Sequence, residues 1–95
     1  MQTRRIRCQV RPGLFPEEYI VSFRALADGA ERVVEVVSDA NGVRVSKPPT
    51  RTESVEGTLD VWLLGYSSGA VRVVVPGSGA SDSRIVSVPE ALVSV

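Results

Sequence analysis

The stretch YIVSFRALADGAERVVEVV, Tyr19 to Val37, decides how this chain is read. Apolar and polar residues alternate on both sides of Ala27-Asp28-Gly29-Ala30. Asp-Gly between two alternating runs is a strong hairpin signal, because a two-residue turn needs positions that accept positive φ. It predicts strands over Tyr19 to Leu26 and Glu31 to Val37. The second strand leaves its inward face open: either Val33 and Val37 or Val34 and Val36 point to the core, since a one-residue slip exchanges faces.

Upstream, Arg4 to Val10 alternates in the same way, with Ile6, Cys8 and Val10 on one face and Arg5, Arg7, Gln9 and Arg11 on the other. Cys8 is thereby placed in the core. Pro12-Gly13 breaks this run, and Leu14-Phe15-Pro16-Glu17-Glu18-Tyr19 carries Pro and two acids as in the first turn of a short helix, which predicts a single helical turn, α or 3₁₀, near residues 15–19. Downstream, Asp39-Ala40-Asn41-Gly42 suits a type I turn closed by a left-handed Gly42, leading as a second hairpin into Val43-Arg44-Val45.

The next strands are Thr58 to Leu64 and Ala70 to Val75, joined by Gly65-Tyr66-Ser67-Ser68-Gly69. A three-residue loop sets Leu63 against Val73 and gathers Trp62, Leu64, Arg72 and Val74 on the outer face. A two-residue loop at Ser67-Ser68 sets Trp62 against Val73 and turns it into the core. Arg84 to Val88 resumes a strand, a single helical turn is expected at 89–92, and Val93-Ser94-Val95 ends the chain. Residues 47–57 and 76–83 lack periodicity and are expected as long loops.

The chain has 95 residues, of which eighteen are Val and six Leu. β-Branched side chains favour pleated strands over helices, so the class is all-β. Six or seven short antiparallel strands with no helix longer than a turn predict a small partly open barrel of SH3-like type, or a compact sandwich, forming a single domain over 1–95. Closure is favoured because it removes strand edges that so small a chain could not otherwise cover.

Gly13-Leu14-Phe15-Pro16-Glu17-Glu18-Tyr19-Ile20 resembles the Gly-x-Phe-Pro-x-x-Tyr-Val stretch that ends SH3 domains, where it forms a 3₁₀ turn and lines a groove for proline-rich peptides. The resemblance covers eight residues and lies at the start of this chain, not near its end. The Ala-Leu-Tyr-Asp-Tyr-like run and the Trp-Trp pair of that family are missing. It is read as a local likeness and not as membership.

Composition removes much chemistry. Without His there is no His triad, general base or metal ligand, and one Cys excludes an internal disulfide or a Cys-based zinc site. Asp39-Ala40-Asn41-Gly42 lacks the further acids of a calcium loop, and Gly77-Ser78-Gly79 has no Gly-Lys-Ser/Thr after it to bind phosphate. Lys47 is the sole lysine available to activate a serine, and Glu17-Glu18 reads as a charged first turn. The expectation is a chain that is not an enzyme and needs no cofactor and no metal. The charged N-terminus carries no signal-peptide core, and uninterrupted apolar runs are only a few residues long against the roughly 20 that span a bilayer. With its lone Cys, the chain is expected to be cytoplasmic and to need no membrane.

Eleven basic residues balance eleven acidic ones, yet the charges are segregated. Arg4, Arg5, Arg7 and Arg11 stand before Pro12 with no acid among them, whereas Glu53, Glu56 and Asp60 stand between Thr52 and Val71 with no base. The arginines are a candidate anion or nucleic-acid site, or else they pair with the acidic stretch. Pairing is preferred, because no aromatic residue is interleaved to stack bases. The second candidate is Trp62 with Leu64, Arg72 and Val74, an interface if outward and a core aromatic if inward. The expected function is a binding or assembly module that contacts a protein partner or itself. A nucleic-acid-binding small barrel using the Arg stripe is the alternative, and an enzyme completed at an oligomer interface comes third.

Overall fold

A computed structural model describes residues 2–27, 29–75 and 84–94. Its elements are β1 (Thr3–Pro12), β2 (Glu18–Ala27), β3 (Ala30–Asp39), a 3₁₀ turn (Ala40–Gly42), β4 (Val43–Val45), β5 (Val55–Ser67), β6 (Ala70–Val75), β7 (Arg84–Pro89), a second 3₁₀ turn (Glu90–Leu92) and β8 (Val93–Ser94). All strand pairs are antiparallel. The protein is a small all-β barrel.

Five strands close in the cyclic order β1-β2-β7-β6-β5, with β3 added outside β2, β4 beside β5 and β8 beside β1. Closure depends on how β2 divides its inner edge. Residues Tyr19 to Ser22 pair with β1, while further along only Leu26 meets Ser87 of β7. The wedge left where β1 and β2 diverge is filled by the C-terminal segment: Val93 and Ser94 pair with Ile6 and Arg5, and Leu92 is buried.

Alternation along each strand supplies the core. Ile6, Cys8 and Val10 of β1, Val21, Phe23 and Ala25 of β2, Leu59 and Val61 of β5, Val71, Val73 and Val75 of β6 and Val88 of β7 are buried in one cluster. Most of these are valines, whose compact branched side chains suit the narrow interior of a five-stranded barrel. Val34 and Val36 of β3 pack partly buried against the same cluster, while Val33 stays 72% exposed. That settles the face of β3, which the sequence left open.

The turn expected before β2 is present as one turn closed by a 3₁₀-type hydrogen bond, Glu18 N–H donating to Phe15 O at 3.1 Å, and β2 begins at once. Gly13 N–H donates to Glu18 O at 3.1 Å, and a Cβ on Gly13 would stand 2.8 Å from that oxygen, so this turn needs glycine for close approach. Asp39-Ala40-Asn41-Gly42 gives a 3₁₀ turn and not a left-handed glycine turn; positive φ among described glycines occurs only at Gly29 and Gly69. It does not close a hairpin either, because β4 crosses to pair with β5. At the C-terminal end the turn expected at 89–92 is present as Glu90–Leu92. Residues 76–83, expected as a loop, lie outside the described residues, and the other loop already enters β5 at Val55.

The β5–β6 hairpin has the strand register of the three-residue-loop reading, Leu63 against Val73, but reaches it through a turn that neither reading contained. Ser67 pairs with Ala70, leaving a two-residue turn in which Ser68 and Gly69 have φ of 40° and 82°. Continued unchanged, that register would set Trp62 against Val75, inside the barrel. A bulge between Leu63 and Gly65 moves it by one residue, so that Leu63 opposes Val73 and Trp62 opposes Val74. Trp62 is therefore on the outside, 44% exposed.

β1, β4 and β5 meet at Gly57, which pairs with Cys8 on one side and Val45 on the other. A Cβ there would lie 2.6 Å from Arg44 O and 2.9 Å from both Val10 Cγ2 and Val45 Cγ1. Gly57→Ala is predicted to destabilise the fold by about 1–3 kcal/mol, the usual cost of overpacking a tight interior. Urea unfolding that shows an unchanged midpoint would contradict this packing.

Candidate functional site

Two surfaces collect the residues singled out from the sequence. The first is the outer face of β5, β6 and β7. Strand pairing sets Trp62 beside Val74 and Val74 beside Ile85 in one cross-strand row. Ile85 is 60% exposed, Leu64 is also exposed, and Val74 is half-buried; Tyr66 is exposed as well but opposes the buried Val71, and so has the parity of the inner face. Arg72 opposes Gly65 next to the bulge. The group Trp62, Leu64, Arg72 and Val74 is thus brought to one face. Ile85 is the member sequence reasoning missed, because its place beside Val74 depends on which strands pair.

The second surface is an open concavity of about 820 Å³ around the outer side of β1, reaching β2, β4 and β5 and, at Val33, β3. Arg5, Arg7, Arg24 and Arg44 line it together with Ser22, Thr58 and Glu56. The register explains the gathering: Arg7 pairs with Thr58, and Thr58 with Arg44, so two guanidinium side chains flank one small residue.

The arginine stripe does meet the acidic stretch. Arg5 opposes Asp60 across the β1–β5 ladder, with Nε 3.6 Å from Asp60 Oδ1, and Arg44 Nε approaches the same oxygen at 3.9 Å. That oxygen is buried and receives no hydrogen bond among the described residues, so two cations share one carboxylate at ion-pair range. Arg11 pairs instead with Glu35 of β3 at 2.6 Å, and Arg24 with Glu31 at 3.8 Å. Arg7 donates to Ala91 O at 2.9 Å and has no carboxylate within ion-pair distance among the described residues. Arg4 departs from the stripe. Its strand parity is that of Ile6, it is half-buried, and it donates to Gln2 Oε1 at 2.7 Å and to Thr3 O at 3.1 Å.

The remaining candidate chemistry is dispersed. Lys47 pairs with Glu53 at 3.4 Å on the surface. Among the described residues no three acidic or Cys side chains converge as metal ligands, and no helix is long and apolar enough to cross a membrane. Compared with known proteins, the chain matches no family model, no curated protein and no solved structure.

Cys8 lies beneath the concavity and is buried, and loss of hydration pushes its thiol up from 9.0 to about 12. Its folded form holds the proton more tightly than the unfolded chain. The associated stability is present in full below the unfolded value and is lost as pH rises from about 9 towards 12, at up to about 1.4 kcal/mol per pH unit. The unfolding free energies of the wild type and Cys8→Ala should therefore keep a constant difference at neutral pH and converge above pH 9. Parallel curves across the alkaline range would show the thiol to be solvated.

Proposed function

We propose that this chain is a non-enzymatic binding and assembly module that makes protein–protein contacts through the outer face of β5, β6 and β7. The observation that carries this reading is the row Trp62, Val74 and Ile85 on three neighbouring strands, with Leu64 exposed nearby. An indole and an isoleucine held outward on a rigid sheet lose little side-chain freedom on docking, and aromatic anchors of this kind dominate interface energetics. Arg72 at the edge supplies a planar donor for the rim. A two-fold dimer would bury this same face on both copies.

The five-stranded barrel is read as SH3-like in type on its size and closure, and the unpaired buried thiol fits a reducing, cytoplasmic setting. Trp62→Lys combined with Ile85→Lys is predicted to lower association at least about tenfold, because charges replace desolvated anchors. Light scattering and sedimentation of the wild type against this variant measure it. A wild type that is strictly monomeric at tens of micromolar and finds no partner in pull-downs would defeat the reading.

One observation favours a second reading: Arg5, Arg7, Arg24 and Arg44 share one concavity. In that reading the barrel holds nucleic-acid phosphates there, with Arg7 the first to engage. Short RNA should then bind in a salt-dependent way and weaken in Arg7→Ala. Absence of binding at low salt would dismiss it.

A further inference from the structure

The outer edge of β3 is the longest stretch of unpaired backbone among the described strands. β3 pairs along its whole length with β2, and among the described residues nothing pairs with its other side. The direction of its hydrogen-bonding groups follows from the register. Ala40 N–H donates to Glu17 O at 2.8 Å, one step beyond the Glu18–Asp39 pair. In an antiparallel ladder, hydrogen-bonded and non-hydrogen-bonded pairs alternate. Even-numbered residues of β3 therefore bond to β2, while Glu31, Val33, Glu35, Val37 and Asp39 direct N–H and C=O to the open side.

The side chains of those five residues are all exposed, and they alternate acid, valine, acid, valine, acid. The even residues Val34 and Val36 pack against the core and hold the strand in place. Glu31 and Glu35 are paired on the inboard side, with Arg24 and Arg11, yet each side chain remains more than half exposed.

This pattern excludes a comfortable pairing of the edge with itself. In a two-fold antiparallel pair, residues of equal parity oppose one another. Val33 against Val33 brings Glu31 to Glu35. Val33 against Val37 brings Glu35 to Glu35 and Glu31 to Asp39. Val37 against Val37 brings Glu35 to Asp39. The other registers set valine against carboxylate. Like charges directly opposite are destabilising, and charged edges are a recognised guard against edge-to-edge self-association.

We propose that the open edge of β3 is a binding site for an extended basic peptide segment, which adds to the sheet as a ninth strand. The partner carries Lys or Arg opposite Glu31, Glu35 and Asp39 and β-branched residues opposite Val33 and Val37, while its main chain pairs with the open N–H and C=O groups. This site goes beyond the assembly face: it is on a different strand, takes a different ligand, and stands or falls without it.

The probe is a synthetic nine-residue peptide with lysine at its first, fifth and ninth positions, valine at its third and seventh, and threonine elsewhere. Fluorescence anisotropy at low salt should show it binding the full chain. A version with glutamate for lysine should bind at least about tenfold more weakly, as expected for reversing three cross-strand charge pairs. Glu35→Lys should weaken the lysine peptide and strengthen the glutamate peptide, and this surface change leaves the core untouched. Hydrogen exchange should slow at the amides of Val33, Glu35 and Val37 when the peptide is bound, and hardly at Val34 and Val36.

Equal affinity for the two peptides, or for a lysine peptide N-methylated along its backbone, would overturn the proposal. So would unchanged exchange at the odd-numbered amides. Protection of those amides in the free chain together with a dimer mass would assign the edge to a second copy and overturn it as well. The Trp62→Lys, Ile85→Lys variant should bind the peptide normally, which separates failure of this site from failure of the assembly face.

Discussion

Eight successive residue pairs between β1 and β5, from Thr3–Trp62 to Val10–Val55, hold the rest of the structure. They join segments far apart in the chain, so loop-closure entropy must be met before the ladder returns any stabilisation. The return comes from Ile6, Cys8 and Val10 packing with Leu59 and Val61 in a common core. With this ladder in place, β2 can divide its edge between β1 and β7, and the C-terminal segment can fill the wedge they leave. Gly57 is the point on that ladder where a third strand, β4, comes closest.

The same ladder decides the electrostatics. The zero net charge is a sum over a basic first strand and an acidic region leading into β5, and antiparallel pairing lays Arg5 on Asp60. The pairs exposed on both sides, Arg11–Glu35 and Arg24–Glu31, each contribute at most about 1 kcal/mol. Their effect is more on register and recognition than on stability. Two guanidinium groups sharing one carboxylate, and Arg7 spending its donor on a backbone carbonyl, leave basic character concentrated in the concavity while the opposite sign collects along the outer edge of β3.

The barrel consequently offers an apolar row on β5, β6 and β7, a guanidinium-lined hollow around β1, and an acid-valine edge on β3 that borders the hollow at Val33 and through the Arg24–Glu31 pair. Rigid strands hold all three, so each presents side chains without ordering a loop first. The proposed role as a binding module rests on that arrangement.

Alternation by itself placed Ile6, Cys8 and Val10 inside, marked the hairpin at Asp28-Gly29 and limited the chain to a small all-β barrel or sandwich, because side-chain period and turn chemistry are local properties. Local rules also misjudged Asp39 to Gly42, which closes no hairpin, because β4 leaves β3 for its partner β5. The faces of Val33 and Trp62 were beyond sequence. Val33 turns outward because Val34 and Val36 reach the core across β2. Trp62 does so because a two-residue turn and a bulge each shift parity, and only their combination counts. Ile85 joins the apolar row, and Asp60 serves both Arg5 and Arg44, through pairings between strands distant in the chain. Sequence determined the strands and their alternation; tertiary structure decided which strands became neighbours, and with that every surface on which this protein can act.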